Sequence, residues 1–399
     1  MLRLEQLQLT QFKNHPDTRY DFTERIVGIT GLNGVGKTNL LDAIHALCFT
    51  RGYFSRQDQS LVRHGQAGFR LDGRLRRNNE SHSIQLILRE TGKKEIWLDG
   101  DLLPRMADHL GRYPVVMIAP DDAELIQGES RSRRQFLDAL LSQLVPTYLP
   151  NLVRFNRLLQ QRQALLRDLA ENGNTTAQLA VLDVLDEQWV ATMRVLIPER
   201  IRWSAVLNEK VNEHYQRIAG TKENIRLTYQ SDLLDVDPLQ RIQAQRARDL
   251  AAQRNTVGPH RDDLLFHLGE HPFKTEASQG QRKTLLFALK LAERSLLEDE
   301  LKLPPFLLLD DVFEKLDPTR AAVTQEPLEL SSVELPLAGE IIQSIHRPQK
   351  EPAIYEELGV KGNHGCDRRP RYSTRSQTQA AENPPVVERN IQKCRASIH

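Results

Sequence analysis

Nowhere in the 399-residue chain do 18 apolar residues run together, which excludes a membrane-spanning helix. The opening Met1-Leu2-Arg3-Leu4-Glu5-Gln6 lacks the apolar stretch of a signal peptide, so the protein is expected to stay in the cytoplasm, where it is made. Three cysteines, Cys48, Cys366 and Cys394, are too few and too scattered for a disulfide framework or a zinc site. Neither sign of charge dominates: 54 basic against 53 acidic residues leave a net charge of +1. Any affinity for nucleic acid must then come from where the charges sit. Hydrophobic residues make up 39%, slightly low for a globular chain, which points to long polar helices or an unfolded segment. The length still leaves ample chain for a core and predicts two lobes.

What is present is ordered by period. Leu2, Leu4, Leu7 and Leu9 alternate with polar neighbours, and Ile26-Val27-Gly28-Ile29 is a short apolar run, so both read as strands. Ser83 to Leu88 alternates, turns at Thr91-Gly92-Lys93-Lys94 and returns through Glu95 to Leu98, a hairpin. Val115 to Ile118 is a further buried strand, stopped by Pro120. From Arg133 to Gly220 the apolar residues fall at helical spacing, among them Phe136, Leu137, Leu140 and Leu141, then Phe155, Leu158 and Leu159. Pro198 is expected to punctuate this stretch, and its heptads are too short for a long coiled coil. Strands return at Ile225 to Tyr229, Leu264 to Leu268 and Phe306 to Leu309. Beyond Arg320 only Tyr355 and Tyr372 are aromatic, while seven of the 20 prolines fall there. No periodicity able to bury a core is visible, and most of this tail is expected to be disordered. The expected division is 1–120 and 251–320 for two parts of one α/β head, 121–250 for an inserted helical lobe, and 321–399 for the tail.

Three motifs carry chemistry. Gly31-Leu32-Asn33-Gly34-Val35-Gly36-Lys37-Thr38 matches the phosphate-binding loop between a strand and an apolar helix. Its backbone N–H groups and helix N-terminus suit phosphates, Lys37 suits the β- and γ-phosphates of ATP, and the Thr38 hydroxyl suits Mg²⁺. Phe306-Leu307-Leu308-Leu309-Asp310-Asp311 delivers carboxylates to the C-terminal edge of a buried strand. Asp310 is expected at the metal, and Asp311, with Lys37, in the catalytic role, orienting or deprotonating the attacking water. Ser278-Gln279-Gly280-Gln281 precedes an amphipathic helix and resembles the signature loop of ATP-binding-cassette ATPases, as Glu314-Lys315-Leu316-Asp317 resembles their D-loop. In that superfamily Ser278, Gly280 and Gln281 would contact the γ-phosphate of a partner's ATP, which implies an ATP-induced homodimer.

The combination resembles the RecF family. Leu9-Thr10-Gln11-Phe12-Lys13-Asn14 is similar to its opening segment, and Gly128 with Arg133-Arg134-Gln135-Phe136-Leu137-Asp138 to a second. Val257-Gly258-Pro259-His260-Arg261-Asp262-Asp263 is similar to a third. The resemblance covers residues 1–320 almost continuously. It implies a P-loop NTPase head of the ABC/SMC type, binding of double-stranded and gapped DNA, loading of RecA with the partners RecO and RecR, and slow ATP hydrolysis that times release. An aspartate at 311, where many cassette ATPases carry glutamate, agrees with slow turnover. The family's switch segment, a strand ending in histidine, is matched only faintly by Ile341-Ile342-Gln343-Ser344-Ile345-His346. This prompts the expectation of a frameshifted or diverged tail.

Other readings stay open at this stage. An ATPase of a membrane transporter shares the nucleotide motifs, though Gly258 to Asp263 is foreign to that class. A GTPase would need an N-K-x-D motif and a kinase an acceptor site, and neither is found. DNA contacts are sought among Arg51, Arg56, Arg63, Arg70, Arg74, Arg76, Arg77, Lys93, Lys94, Arg131, Arg133 and Arg134, with solvated surface charge as the bland alternative. For Gly258 to Asp263 two roles compete: a sensor through His260, or an Arg–Asp network joining two lobes.

Overall fold

The computed structural model describes residues 1–311, Arg56 and Asn174 excepted, and the strands Ile341–His346 and Val386–Glu388, where Ile342 is the one side chain described. Glu314 to Asp317, Cys366 and Cys394 lie outside the described residues.

The N-terminal half builds an antiparallel sheet from β1 (Leu2–Phe12), β2 (His15–Asp21), β4 (Phe69–Arg77), β5 (Glu80–Leu88), β6 (Lys94–Leu98) and β7 (Asp101–Leu102), in the order β2-β1-β4-β5-β6-β7. Leu2, Leu4, Leu7 and Leu9 are all fully buried although Leu4 and Leu7 are an odd number of residues apart. A register shift between Leu4 and Gln6 in the β1–β4 pairing absorbs the extra residue and keeps all four on one face.

A five-stranded sheet follows the order β14-β3-β13-β12-β8. Here β3 is Ile26–Gly31, β8 Val115–Ile118, β12 Phe306–Asp310, β13 Ile341–His346 and β14 Val386–Glu388. All its pairings are parallel except that of β14. β8 and β12 are buried at every position, as continuous apolar runs in a parallel sheet require. Helix α1 (Lys37–Phe49) packs on the antiparallel sheet so closely that a Cβ at Gly73 would lie 2.2 Å from Leu47 Cδ2. Leu40, Ala43 and Ile44 of this helix share one core with Leu4, Leu9, Ile29, Leu308 and Ile342.

The second core is helical. It joins α2 (Ala123–Gln127), α3 (Ser130–Leu144), α4 (Tyr148–Asn172), α5 (Thr176–Ala219) and α8 (Gln279–Leu301) to a sheet of β9 (Ile225–Gln230), β10 (Asp263–Leu268) and β11 (His271–Pro272). α6 (Pro238–Ala252) and the short α7 (Phe273–Glu276) complete the elements. One sequence expectation changes. Pro198 does not end its helix: α5 runs 44 residues through it. Side chains buried from Leu182 to Tyr215 hold the helix on both sides of the proline, and packing outweighs the lost backbone bond. After residue 320, β13 lies between β3 and β12 and Ile342 is fully buried.

Candidate nucleotide-binding site

The loop between β3 and α1 turns on Gly34 (φ +82°) and Gly36 (φ +104°), left-handed conformations that other residues adopt at a cost. Gly36 is constrained twice, because a Cβ there would sit 2.6 Å from Asn14 Nδ2. The turn between β1 and β2 thus leans on the loop: Asn39 Nδ2 donates to Asn14 Oδ1 at 2.8 Å, and Lys13 pairs with buried Asp42 of α1. In the sequence the Lys13-Asn14 pair only marks the family resemblance; the structure makes it a support of the loop.

Lys37 is 4% exposed, and its Nζ donates to the carbonyls of Gly31 at 3.0 Å and Leu32 at 3.2 Å. Among the described residues it has no carboxylate partner, an uncompensated buried cation that an anion would satisfy. Thr38 Oγ1 donates to Asp310 Oδ1 at 3.0 Å, across 272 positions of sequence. The first turn of α1 and the end of β12 are therefore assembled at one point. A hydroxyl beside a carboxylate is a hard oxygen donor set of the kind Mg²⁺ takes, so the residues present fit a nucleoside triphosphate with its metal.

Asp311 has φ +46°, a left-handed conformation just past the strand. It lines a cavity of about 230 Å³ with Gln127, Gln279, Arg282 and Lys283. Ser278 caps α8: its Oγ accepts from Gln281 N at 3.2 Å, and Gln281 Oε1 accepts from Ser278 N at 2.8 Å, a capping box. Gln281 Nε2 is spent on Glu223, at 3.2 and 3.3 Å from its two carboxylate oxygens. Ser278 and Gln279 flank the start of this helix, and Gln279 is exposed. No hydrogen bond or ion pair among the described residues joins Ser278, Gly280 or Gln281 to Gly31, Leu32, Asn33, Gly34, Val35, Gly36, Lys37 or Thr38, so within one chain the two motifs are separate.

The Gly258 to Asp263 segment is an Arg–Asp network. Arg133 donates to Asp263 through Nε (2.7 Å) and Nη2 (2.9 Å), and Arg134 Nη1 donates to the Asp262 carbonyl at 2.6 Å. Fully buried Arg200 donates to the Pro259 carbonyl at 2.7 Å, Tyr148 Oη at 2.8 Å and Asp138 Oδ1 at 2.8 Å, while the Tyr229 hydroxyl donates to Asp262. His260 packs on Trp189 and Phe155, and burial pulls its pKa down to about 4. Of the two roles considered, the network is the one these contacts express.

Many of the candidate DNA-contacting arginines and lysines are committed elsewhere. Arg70 pairs with Asp72 (2.6 Å), Lys93 with Glu95 (3.0 Å) and Lys94 with Asp58 (2.7 Å), and Arg76 pairs with Glu5 at 2.5 Å. Arg133 is buried. Arg51, Arg74 and Arg131 remain exposed, Arg63 and Arg77 are half-buried, and Arg56 lies outside the described residues. The buried cluster of Tyr53, Asp122, Lys290 and Glu293 is absent from the sequence reading; a lysine inside the apolar run Phe287-Ala288-Leu289-Lys290-Leu291-Ala292 is its signal.

Residues 3–335 match the family described as RecF/RecN/SMC N terminal domain. The chain is 34% identical over 363 residues to the DNA replication and repair protein RecF of Flavobacterium johnsoniae, covering 91% of this chain and 98% of that protein. The RecF of Porphyromonas gingivalis is 36% identical over 323 residues, 79% of this chain and 86% of the relative. Among solved structures, one described as the recombination mediator protein RecF with ATPrS in the RecFOR pathway superposes with a TM-score of 0.79 at 26% identity. It covers 87% of this chain and 93% of that one. A second, with ATP, gives the same TM-score. No described helix is long and apolar enough to cross a membrane.

Proposed function

The chain belongs to the RecF family, and from that premise we propose that it is an ATP-dependent DNA-binding protein of replication and recombinational repair. Two chains would meet on ATP, grip double-stranded DNA near gaps, and with RecO and RecR help load RecA; slow hydrolysis would end the grip. The observation that carries the nucleotide part is the Thr38–Asp310 hydrogen bond, which brings the phosphate loop and the acidic strand together.

Each residue has a task in this reading. The loop from Gly31 to Thr38 would receive the phosphates, with Lys37 turning from its two carbonyls to phosphate oxygens. Thr38 and Asp310 would hold Mg²⁺, which when bound neutralises phosphate charge. Asp311 would orient the attacking water. Its short side chain leaves that water less well placed than a glutamate would, and misplacement slows turnover. The position of Ser278 at the start of α8 supports its use by the other chain, since a helix start offers free N–H groups to an anion. The transporter-ATPase alternative has no observation in its favour: the relatives bear another name, and Gly258 to Asp263 is absorbed in the helical core.

Sedimentation with ATP, Mg²⁺ and a gapped duplex, compared with ADP, tests the proposal. The expected result is a DNA-bound dimer with ATP only. Lys37→Met should lose ATP binding and with it DNA retention; full DNA affinity in that variant would refute the ATP-gated grip.

A further inference from the structure

We propose that the outer face of α4, together with the end of α6, is a phosphate-contacting surface for duplex DNA. The inference deepens the DNA-binding reading above and rests on it.

The starting point is an absence of acid. From Tyr148 to Arg167, α4 contains no Asp or Glu but four arginines, Arg154, Arg157, Arg162 and Arg167. In a chain whose charges nearly cancel, such a stretch is out of keeping with its surroundings. One of the four is structural. Arg162 is fully buried and donates to Asp186 at 2.6 Å and Asp249 at 2.7 Å, which fixes α4 to α5 and α6. That bond also consumes the nearest acid of α6. The other three, Arg154, Arg157 and Arg167, are exposed and make no ion pair among the described residues.

Helix α6 packs against α4 and adds further arginine. Its residues from Pro238 to Arg248 are free of acid as well, and just beyond its end Asn255 Nδ2 donates to the Leu159 carbonyl of α4 at 3.1 Å. Arg248 and Arg254 are exposed and, among the described residues, have no carboxylate partner. The contrast with the antiparallel sheet is direct, for there Arg70 and Arg76 are each neutralised by an acid.

Unpaired arginines with neutral Asn156, Gln160 and Gln161 between them suit an extended polyanion better than a compact ligand, since they are strung along the helix rather than gathered at one point. Arg154 to Arg167 spans about 20 Å of helix axis at 1.5 Å per residue, the length of about six base pairs at 3.4 Å each. Between Arg154 and Arg167 the helix carries no acid to repel a second phosphate row; its own acids, Asp168 and Glu171, follow only in the last turns. Contacts of this kind go to phosphate and carry no sequence information themselves.

The test compares the salt dependence of gapped-duplex binding, with ATP and Mg²⁺, for the full chain and two variants. One carries Arg154→Gln, Arg157→Gln and Arg167→Gln; the other carries Arg70→Gln and Arg76→Gln. Each lost phosphate contact should lower the slope of log K against log salt by about 0.9, so the triple variant should lose up to about 2.7 in slope and up to about 500-fold in affinity at 0.1 M salt. The sheet variant should keep the wild-type slope, and both should keep ATP binding. An unchanged slope in the triple variant, with wild type binding DNA normally, overturns the inference while leaving the DNA-binding reading intact. An equal loss in both variants overturns it too, since the effect would then be net charge. Failure of the wild-type chain to bind duplex with ATP would instead remove the broader reading and this one with it.

Discussion

Lys290 of α8 donates from Nζ to the hydroxyl of Tyr53 at 3.0 Å, and the lysine is 3% exposed. Tyr53 in turn donates its hydroxyl to Asp122 and its backbone N–H to Asp42 of α1 at 2.6 Å. Helices α8 and α1 are thereby joined through Tyr53, whose hydroxyl meets Lys290 and whose backbone N–H meets Asp42.

Removing the lysine leaves Asp122 and Glu293 buried without their cation. Lys290→Met should therefore cost about 3–5 kcal/mol of stability, read as a lower urea midpoint. Adding Glu293→Leu should recover part of it, because it removes one of the two orphaned carboxylates. A single variant as stable as the parent would show that the cluster is solvated.

Arg133 tests the division between structural and DNA-contacting arginines. Arg133→Lys loses the two-point bond to Asp263 and the 3.0 Å contact with the Gly128 carbonyl, and is expected to destabilise by about 2 kcal/mol. DNA affinity of the folded fraction should not change. A loss of affinity without a loss of stability would return Arg133 to the DNA surface.

Burial pulls His45 and His109 down to about 4, against 6.5 for the free side chain. The unfolded chain therefore binds more protons between those values. Stability from these two groups is complete above pH 6.5 and is lost as pH falls toward 4, on the order of 3 kcal/mol for each. Urea midpoints should accordingly be lower at mildly acidic pH than at neutral pH. His109→Gln, which can still donate to the Leu47 carbonyl, should flatten part of the difference.

At the site, Thr38→Val and Asp310→Asn should each abolish the difference in ATP affinity between Mg²⁺ and chelator, while Ser278→Arg should bind ATP normally and fail to dimerise. The measurement is ATP titration beside sedimentation. Loss of ATP binding in Ser278→Arg would mean that Ser278 serves its own chain's nucleotide.

How far these features can be read from sequence follows from how local they are. The phosphate loop, the buried run ending at Asp310 and the hairpin from Ser83 to Leu98 are written in neighbouring residues, and each stands where its pattern predicts. What neighbouring residues do not specify is pairing across the chain. Arg133 looks like free positive charge until Asp263, 130 positions later, is seen to hold it. Arg70 and Arg76 differ in the same respect: one finds its acid two residues on, the other on a different strand. Pro198 misleads for a related reason, since the packing that carries α5 past it comes from other helices. Ile341 to His346 lacks aromatic company and reads as tail, yet its backbone finds two strands waiting.

That last strand sets a schedule for synthesis. β3 and β12 do not pair with each other, because β13 stands between them in register with Ile26 to Gly31 on one side and Leu307 to Asp310 on the other. A nascent chain that has just released Asp310 from the ribosome holds two strands with open edges and a gap one strand wide. The sheet that carries both the phosphate loop and the acidic strand is continuous only after His346 emerges. Until then the edges of β3 and β12 are exposed to other chains, the arrangement that invites mispairing during translation.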